Sequence, residues 1–372
     1  MNAPLVLQVL KSPEAVAGFT ATEWDLLVRQ AKAANLLAHL HVVFMDRGLD
    51  KAIPERPGLH FKAAHKIARR SVLAVRWEVS QLQEALHSLA IPIVLLKGAA
   101  YVMAELPISR GRLFHDIDIL VPGSALEDVE KRLMGWGWRT THASAYDQRY
   151  YRTWMHEIPP MKQIRRQTVL DIHHSILPLT ARLKPDPKKL LSQAVNIEGE
   201  GDLYWLCDVD MILHSATHLF HDGELEHGLR DLVDIAELLR HFATRDGFWQ
   251  ALCDRAEEMD LVRPLVYGLR YVDILLGVVV PDQAKAWMRE RMPGRLLVSV
   301  MDGLFLRALQ PDHASCNRWG TGLARWMLFV RSHYLRMPLK LLIPHLLRKA
   351  FTGDEEWAVP KEVQRFIANN DP

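Results

Sequence analysis

Apolar positions recur at helical spacing towards both ends of the chain and gather into short apolar runs near residue 100. Four early stretches have the spacing or the start signals of helices: 21–46 with Thr22 as the N-cap, 59–89, 99–106 and 124–133. Short apolar runs predict three strands, over 91–96, 117–121 and 167–172. Later segments predict helices almost throughout: 208–220, 225–242, 247–259, 261–278, 282–291, 294–308 and 321–350.

This order of elements predicts an α+β protein in which a small mixed sheet is flanked by helices. At 372 residues the chain is long enough for two or three domains. The breaker Lys184-Pro185-Asp186-Pro187 indicates a boundary after the last predicted strand. We therefore expect three parts: an N-terminal helical segment 1–90, a core 91–183 and a larger C-terminal all-helical domain 184–372.

The composition is that of a globular protein, with 49% hydrophobic and 24% charged residues and a net charge of +2. The three cysteines lie far apart, which argues against a disulfide framework or a zinc ribbon and favours a reducing, cytoplasmic location. The most apolar stretch, 265–280, contains Arg270 and Asp273 and is too short and too charged to span a bilayer. We expect no transmembrane segment and no signal peptide.

Two aspartates separated by one isoleucine are the most informative pattern in the chain. Asp116 and Asp118 begin an apolar run, and alternate side chains of a strand point to the same face. Their carboxylates are then about 6–7 Å apart along the strand. Such like charges are costly unless a cation lies between them, and one or two Mg²⁺ ions are the usual solution, with Mn²⁺ as the alternative ion. Upstream, Lys97-Gly98 ends an apolar run, as a phosphate-contacting turn would.

The chain resembles the DNA polymerase β-like nucleotidyltransferase superfamily in three motifs: Lys97-Gly98, Arg112 and Asp116-x-Asp118. More narrowly, it resembles a bacterial family of uncharacterised nucleotidyltransferases, which shares the Lys-Gly variant of the turn. Segments 169–173 and 229–234 are similar to further parts of that family. The chain departs from the superfamily at Gly98-Ala99, where Gly-Ser is usual, so no serine hydroxyl is offered to a triphosphate.

The resemblance implies a small mixed-sheet polymerase β-like core and a set of site residues. The implied catalytic residues and metal ligands are Asp116, Asp118 and, on a neighbouring strand, Asp171. The implied nucleotide and phosphate contacts are Lys97, Gly98, Arg112 and His173. The backbone at Gly98 would approach phosphate oxygens, helped by the partial positive charge of the helix N-terminus that follows. For His173 a purely structural role stays open.

Two polar clusters further along the chain leave alternatives open. Four histidines lie close together in sequence: His214, His218, His221 and His227. Their spacing suits either a zinc site or a set of side chains lining the cleft between core and helices. Asp231 and Asp234 lie one helical turn apart and would orient Arg230 or an acceptor, or form an ion pair on the helix surface.

Segment 313–353 contains no acidic residue. Its basic residues are interleaved with aromatic ones and are Arg318, Arg325, Arg331, Arg336, Lys340, Arg348 and Lys349. Such a segment can lie on an anionic membrane, bind nucleic acid, or pack on acidic parts of its own protein. We favour the last; peripheral membrane contact by 318–350 and nucleic-acid binding are the alternatives.

Together these patterns predict a Mg²⁺-dependent enzyme that moves a nucleoside monophosphate from an NTP, ATP by default, to a hydroxyl or phosphate of an acceptor. A small molecule, a peptide or protein, and a saccharide precursor are the acceptor classes considered. The alternatives are a non-catalytic binding or regulatory module of the same fold and an RNA-directed nucleotidyltransferase. Three neighbouring carboxylates favour the enzyme, since a protein without chemistry to perform has no reason to keep them.

Overall fold

The computed structural model describes residues 3–141, 145–222 and 225–343. Its helices are α1 Leu5–Lys11, α2 Ala21–Ala33, α3 Leu37–Asp46, α4 Glu55–Leu86, α5 Lys97–Met103, α6 Leu126–Gly135, α7 Ala145–Trp154, α8 Pro187–Ser192, α9 Asp208–Thr217, α10 Gly228–Phe242, α11 Phe248–Glu258, α12 Val262–Leu276, α13 Asp282–Arg291, α14 Arg295–Ala308 and α15 Thr321–Arg336. Its strands are β1 Ile93–Leu96, β2 Asp116–Leu120, β3 Trp138–Thr140, β4 Met161–Gln163, β5 Val169–His173, β6 Val195–Asn196 and β7 Leu203–Trp205. The predicted α+β class is confirmed.

The strands form one mixed sheet in the order β3-β4-β5-β2-β1-β7-β6. The central strand β2 pairs in parallel with β5 and antiparallel with β1. This register places Asp118 opposite Asp171 on one side and opposite Leu96 on the other. All four residues of β1 are buried, as expected for a central strand covered by helices. The middle of the sheet is therefore a rigid platform for the residues at its strand ends.

The sheet extends beyond the predicted core 91–183. β7 pairs in parallel with β1, and β6 pairs with β7, so residues 195–205 belong to the sheet and the segment from 184 onward is not all helical. These strands are two and three residues long. Strands this short carry no alternation of apolar and polar residues by which a sequence could reveal them. The division of the chain into three domains stays a prediction.

Helix ends differ from the prediction where the local chemistry is specific. The predicted helix 21–46 is two helices, because Asn35 adopts a left-handed φ of 59° between α2 and α3. Thr20, not Thr22, caps α2: its hydroxyl accepts from the Glu23 N–H and its own N–H donates to the Glu23 carboxylate. The predicted helix 321–350 breaks before Pro338, and residues 344–350 lie outside the described residues.

One continuous apolar core joins the helices before and after the sheet to the sheet itself. Leu27 and Phe61 from the first helices share this core with Leu96 of β1 and with Leu232 and Tyr271 of α10 and α12. Helices α9 and α10 pack against each other, and α9 also contacts α5, so both lie beside the β1–α5 turn. None of the helices in the described part of the chain is long and apolar enough to span a membrane.

Candidate active site

Three aspartates emerge on one face at the centre of the sheet. Asp116 and Asp118 are alternate residues of β2, and Asp171 of β5 is the register partner of Asp118. Alternate residues and register partners share a face, so these side chains and that of His173 lie on the same side. Asp171 therefore lies on a neighbouring strand beside Asp118, where the sequence predicted it.

The electrostatic surroundings of Asp171 favour a positive charge. Burial raises the pKa of Asp171 to about 8, and repulsion from Asp118, Glu157 and Asp116 contributes to the rise. Desolvation by the surrounding protein and repulsion from Asp118 also raise the pKa of Asp116, although Asp116 lies at the exposed start of β2. The Oδ1 atom of Asp171 is buried and has no hydrogen-bond partner. A buried carboxylate oxygen left in this state is costly.

Asp118, in contrast, is held in its charged form. Lys97 Nζ and His173 Nε2 each lie 3.3 Å from Asp118 Oδ1. Burial alone would raise the pKa of Asp118, but Lys97 and His173 outweigh it and hold this pKa well below its usual range. His173 Nε2 also lies 3.5 Å from Glu157 Oε2. The predicted phosphate contacts Lys97 and His173 are thus both ion-pair partners of the central aspartate.

The Lys97-Gly98 turn, where β1 ends and α5 begins, has a strained backbone conformation. Lys97 has a φ of 42°, in the left-handed region that residues other than glycine rarely adopt. Such strain clusters at functional sites. A Cβ atom on Gly98 would lie 2.5 Å from Phe114 Cδ1 and 3.0 Å from Arg112 Nη1. Close packing against Phe114 and Arg112 therefore favours glycine here, and the contact of Gly98 with phosphate stays a prediction.

Arg112 connects the sheet to α10. Its Nε lies 2.8 Å from Asp234 Oδ2 and its Nη2 lies 3.8 Å from Asp231 Oδ1. The Nε–H does not point at a hydrogen-bond acceptor, so the contact with Asp234 is an ion pair and not a directed hydrogen bond. The guanidinium also lies 5.6 Å and 5.5 Å from the ring centres of Tyr101 and Phe114. The predicted phosphate contact is thus fixed by two carboxylates and two rings.

The two aspartates of α10 are buried and paired, whereas the sequence left a surface ion pair open. Arg230 donates from Nε and Nη2 to Asp231 Oδ1, at 2.8 Å and 2.7 Å. Burial would raise the pKa of Asp231, but Arg230 and Arg112 outweigh it and lower this pKa. Burial raises the pKa of Asp234 to about 6, because Arg112 offsets only part of it. Each carboxylate of this pair has a guanidinium partner.

His214 at the end of α9 and His218 just after it lie close to the aspartates. Burial lowers the pKa of His214 well below its usual value, and the charges of Lys97 and His218 add to the effect. The charge of His218 in turn lowers the pKa of both Asp118 and Asp231. These interactions support the interpretation that His214 and His218 line the cleft. In the part of the chain that the structure describes, they do not form a group with the spacing of a metal site.

Two site residues, His156 and Glu157, gave no signal in the sequence analysis. They precede β4, and an antiparallel bridge between Glu157 and His173 places them beside the end of β5. The donor atoms of His156, Glu157 and His173 lie within 4.8 Å of one another. Among the described residues, this is the group of three whose donor atoms are close enough together to hold one metal ion. The three aspartates do not form such a group. Only the fold brings His156 and Glu157 to the site, so no local motif could mark them.

A model of one protein family matches residues 20–277 of the chain. That span includes the Lys97-Gly98 turn, the aspartates of β2 and β5 and the carboxylates of α10. The chain belongs to the uncharacterised nucleotidyltransferase family. This membership agrees with the family resemblance of the sequence and makes a transferase the class of protein expected. No curated protein shows significant similarity to the chain.

The described part of the basic segment, residues 313–343, packs in part on the rest of the protein. Arg331 donates to the backbone oxygen of Phe220 at 2.8 Å, and Arg325 donates to the carboxylate of Asp312 at 2.7 Å. Trp326, on the outer face of α15, is 61% exposed. Packing on the protein itself accounts for two of the basic residues; contact with a membrane or with nucleic acid stays a prediction.

Proposed function

We propose that this protein is a Mg²⁺-dependent nucleotidyltransferase that transfers a nucleoside monophosphate from an NTP, with ATP as the default, to a hydroxyl or phosphate of an acceptor. The observation that carries the proposal is the parallel pairing of Asp118 with Asp171, whose Oδ1 is buried without a hydrogen-bond partner. Membership of the nucleotidyltransferase family supports the same reaction class. Nucleotidyl transfer requires an attacking oxygen in line with the phosphorus and positive charge on both sides of it.

The chemistry of the donors suits the cation that this reaction uses. Asp116, Asp118 and Asp171 offer carboxylate oxygens, the ligands that Mg²⁺ prefers, with Mn²⁺ as a substitute. Burial, together with repulsion from Asp118 and Glu157, raises the pKa of Asp171, so a cation beside this carboxyl group would favour its charged form. One or two bound ions would neutralise the triphosphate and favour ionisation of the attacking hydroxyl.

The chain's own residues then have distinct tasks. Lys97 forms an ion pair with Asp118 and would offer its ammonium to the triphosphate if a cation neutralised Asp118. Arg112, fixed by Asp234, holds a second positive charge beside the Lys97-Gly98 turn. Asp171 accepts the proton of the acceptor hydroxyl, and His173 orients Asp118.

A labelling assay tests the proposal. The purified protein is incubated with each NTP labelled at the α-phosphate, with Mg²⁺ and with a cell lysate as the source of acceptor. We expect a labelled product with at least one NTP and a rate about 10³-fold lower for Asp118→Asn, equivalent to about 4 kcal/mol of activation free energy. Asp128→Asn, an exposed position on α6, is the matched control and should keep the parent rate. Undiminished labelling by Asp118→Asn contradicts the proposal.

A non-catalytic nucleotide-binding module is the second candidate, because Lys97 and His173 already neutralise Asp118 without a cation. In that case the parent protein binds an NTP in calorimetry, yet no NTP gives a labelled product and Mg²⁺ does not strengthen binding.

Treating the lysate with ribonuclease before the assay tests the RNA-directed alternative, which predicts that the labelled product disappears.

A further inference from the structure

His156, Glu157 and His173 place two imidazoles and one carboxylate together beside the aspartates. Their donor atoms lie within 4.8 Å of one another. The side chain of His173 is only 5% exposed, and its Nδ1 is buried without a hydrogen-bond partner. Buried ring nitrogens normally have a partner, so the ring of His173 is incompletely satisfied.

Paired backbone holds these residues in place. The Ile158 N–H donates to the Ile172 carbonyl at 3.1 Å, and the His174 N–H donates to the His156 carbonyl at 2.8 Å. Glu157 forms an antiparallel bridge with His173 between these two bonds. Residues 156–158 therefore run along the edge of β5 as an extra strand segment. Ligands carried by hydrogen-bonded strands are better preorganised than ligands on loops.

We propose that His156, Glu157 and His173 form a Zn²⁺ site separate from the aspartate site. Two histidines and one glutamate are a donor set of open zinc sites, which leave a fourth position for water or a ligand. Mg²⁺ prefers oxygen donors, so the two imidazoles select Zn²⁺ over the ion expected at the aspartates. Bonds of about 2.0–2.2 Å in a tetrahedron hold donors about 3.4 Å apart, so small side-chain rotations bring the three onto one ion.

The Zn²⁺ site and the aspartate site share a contact through His173. Its Nε2 lies 3.3 Å from Asp118 Oδ1, so the buried Nδ1 is the nitrogen that would bind Zn²⁺, and a carboxylate at the other ring nitrogen is the usual partner that orients a metal-binding imidazole. Zn²⁺ would therefore fix the ring of His173 and, through it, Asp118. The inference rests on the donor set and the backbone pairing and does not depend on nucleotidyl transfer.

Metal titrations of the full-length protein test the site. The protein is stripped with EDTA and titrated with ZnCl₂ by calorimetry, and with Co²⁺, whose visible absorption reports nitrogen ligation. The variants are Glu157→Gln, which keeps the side-chain shape, and His156→Ala. The controls are His174→Ala, next to a ligand but outside the donor group, and Asp116→Asn, in the aspartate site. Circular dichroism and the Tm without metal establish that each variant is folded.

We expect one Zn²⁺ whose affinity falls at least tenfold in both Glu157→Gln and His156→Ala and is unchanged in both controls. ZnCl₂ should raise the Tm of the parent and of Asp116→Asn, but not that of Glu157→Gln. Parent-like Zn²⁺ affinity in both ligand variants overturns the site, as does an equal loss in Asp116→Asn, which would place the ion at the aspartates. Asp116→Asn should lose nucleotidyl transfer while it keeps Zn²⁺, so failure of the proposed function and failure of this site are distinguishable.

Discussion

The molecule has two groups of aspartates, one on the sheet and one on α10, and they differ in how their charge is balanced. The sheet cluster consists of Asp116, Asp118 and Asp171 on β2 and β5. The helix cluster consists of Asp231 and Asp234 on α10, each within ion-pair distance of Arg112, with Arg230 as a further partner of Asp231. In the sheet cluster, Lys97 and His173 both contact Asp118, and Asp171 keeps an oxygen without a hydrogen-bond partner.

The difference lies in the cations that accompany each cluster. A guanidinium beside each aspartate of the helix cluster offsets part of the cost of burying it, although Asp234 Oδ1 is also buried without a hydrogen-bond partner. In the sheet cluster, burial raises the pKa of Asp171 to about 8, and repulsion from Asp118, Glu157 and Asp116 adds to the rise. We infer that the helix cluster positions Arg112 and that the sheet cluster binds cations.

Arg112→Met gives the largest expected effect on stability. It removes the guanidinium whose Nε lies 2.8 Å from Asp234 Oδ2, so the buried Asp234 loses its partner while Asp231 keeps Arg230. Breaking a buried ion pair costs about 3–5 kcal/mol, and the remaining partner favours the lower end. We expect the free energy of unfolding in urea at pH 8 to fall by about 3 kcal/mol. Asp128→Asn is the control. An equally small change in the free energy of unfolding of both variants would contradict a structural role of the helix cluster.

Gly98→Ala tests the point where the two clusters meet. The new methyl group would lie 2.5 Å from Phe114 Cδ1 and 3.0 Å from Arg112 Nη1. Forcing an extra methyl group into a packed site costs about 1–3 kcal/mol, so we expect the free energy of unfolding to fall by about 2 kcal/mol. Gly135→Ala, at the end of α6, meets nothing within 4 Å and should leave stability unchanged or slightly higher. Equal free energies of unfolding for the two variants would mean that Phe114 and Arg112 shift to admit the methyl group without loss of stability.

The sequence predicted the sheet cluster better than the helix cluster, for a physical reason. Asp118 and Asp171 each lie in a short apolar run, which is a strong local signal for a strand. The pairing of these two strands then places the two aspartates side by side. The partner of Arg112 lies on α10, far along the chain, and no local pattern reports a contact between them. The same holds for Glu157, which reaches the site only through its bridge to His173. Long-range pairing and very short strands are what a single sequence leaves open.

The smallest expected effect concerns the sign of a pH dependence. A carboxyl group titrates at about pH 4 in an unfolded chain. In the folded protein, burial and repulsion from neighbouring carboxylates raise the pKa of Asp171 to about 8. Between these two values the folded protein holds a proton that the unfolded chain has released. Because the folded state binds more protons there, this group lowers the free energy of unfolding as the pH rises.

Asp171→Asn removes this pH-dependent loss of stability, so the variant should be more stable than the parent without cations, in contrast to Arg112→Met. We expect a gain of at least about 1 kcal/mol at pH 8, equivalent to roughly one pKa unit, and none at about pH 4. Urea unfolding in EDTA across this range measures it, and the difference between parent and variant cancels other titrating groups. Mg²⁺ should narrow the gap because it stabilises only the parent. A gap that is the same at both pH values, or that Mg²⁺ leaves unchanged, would mean that Asp171 is not held in a cation-binding cluster.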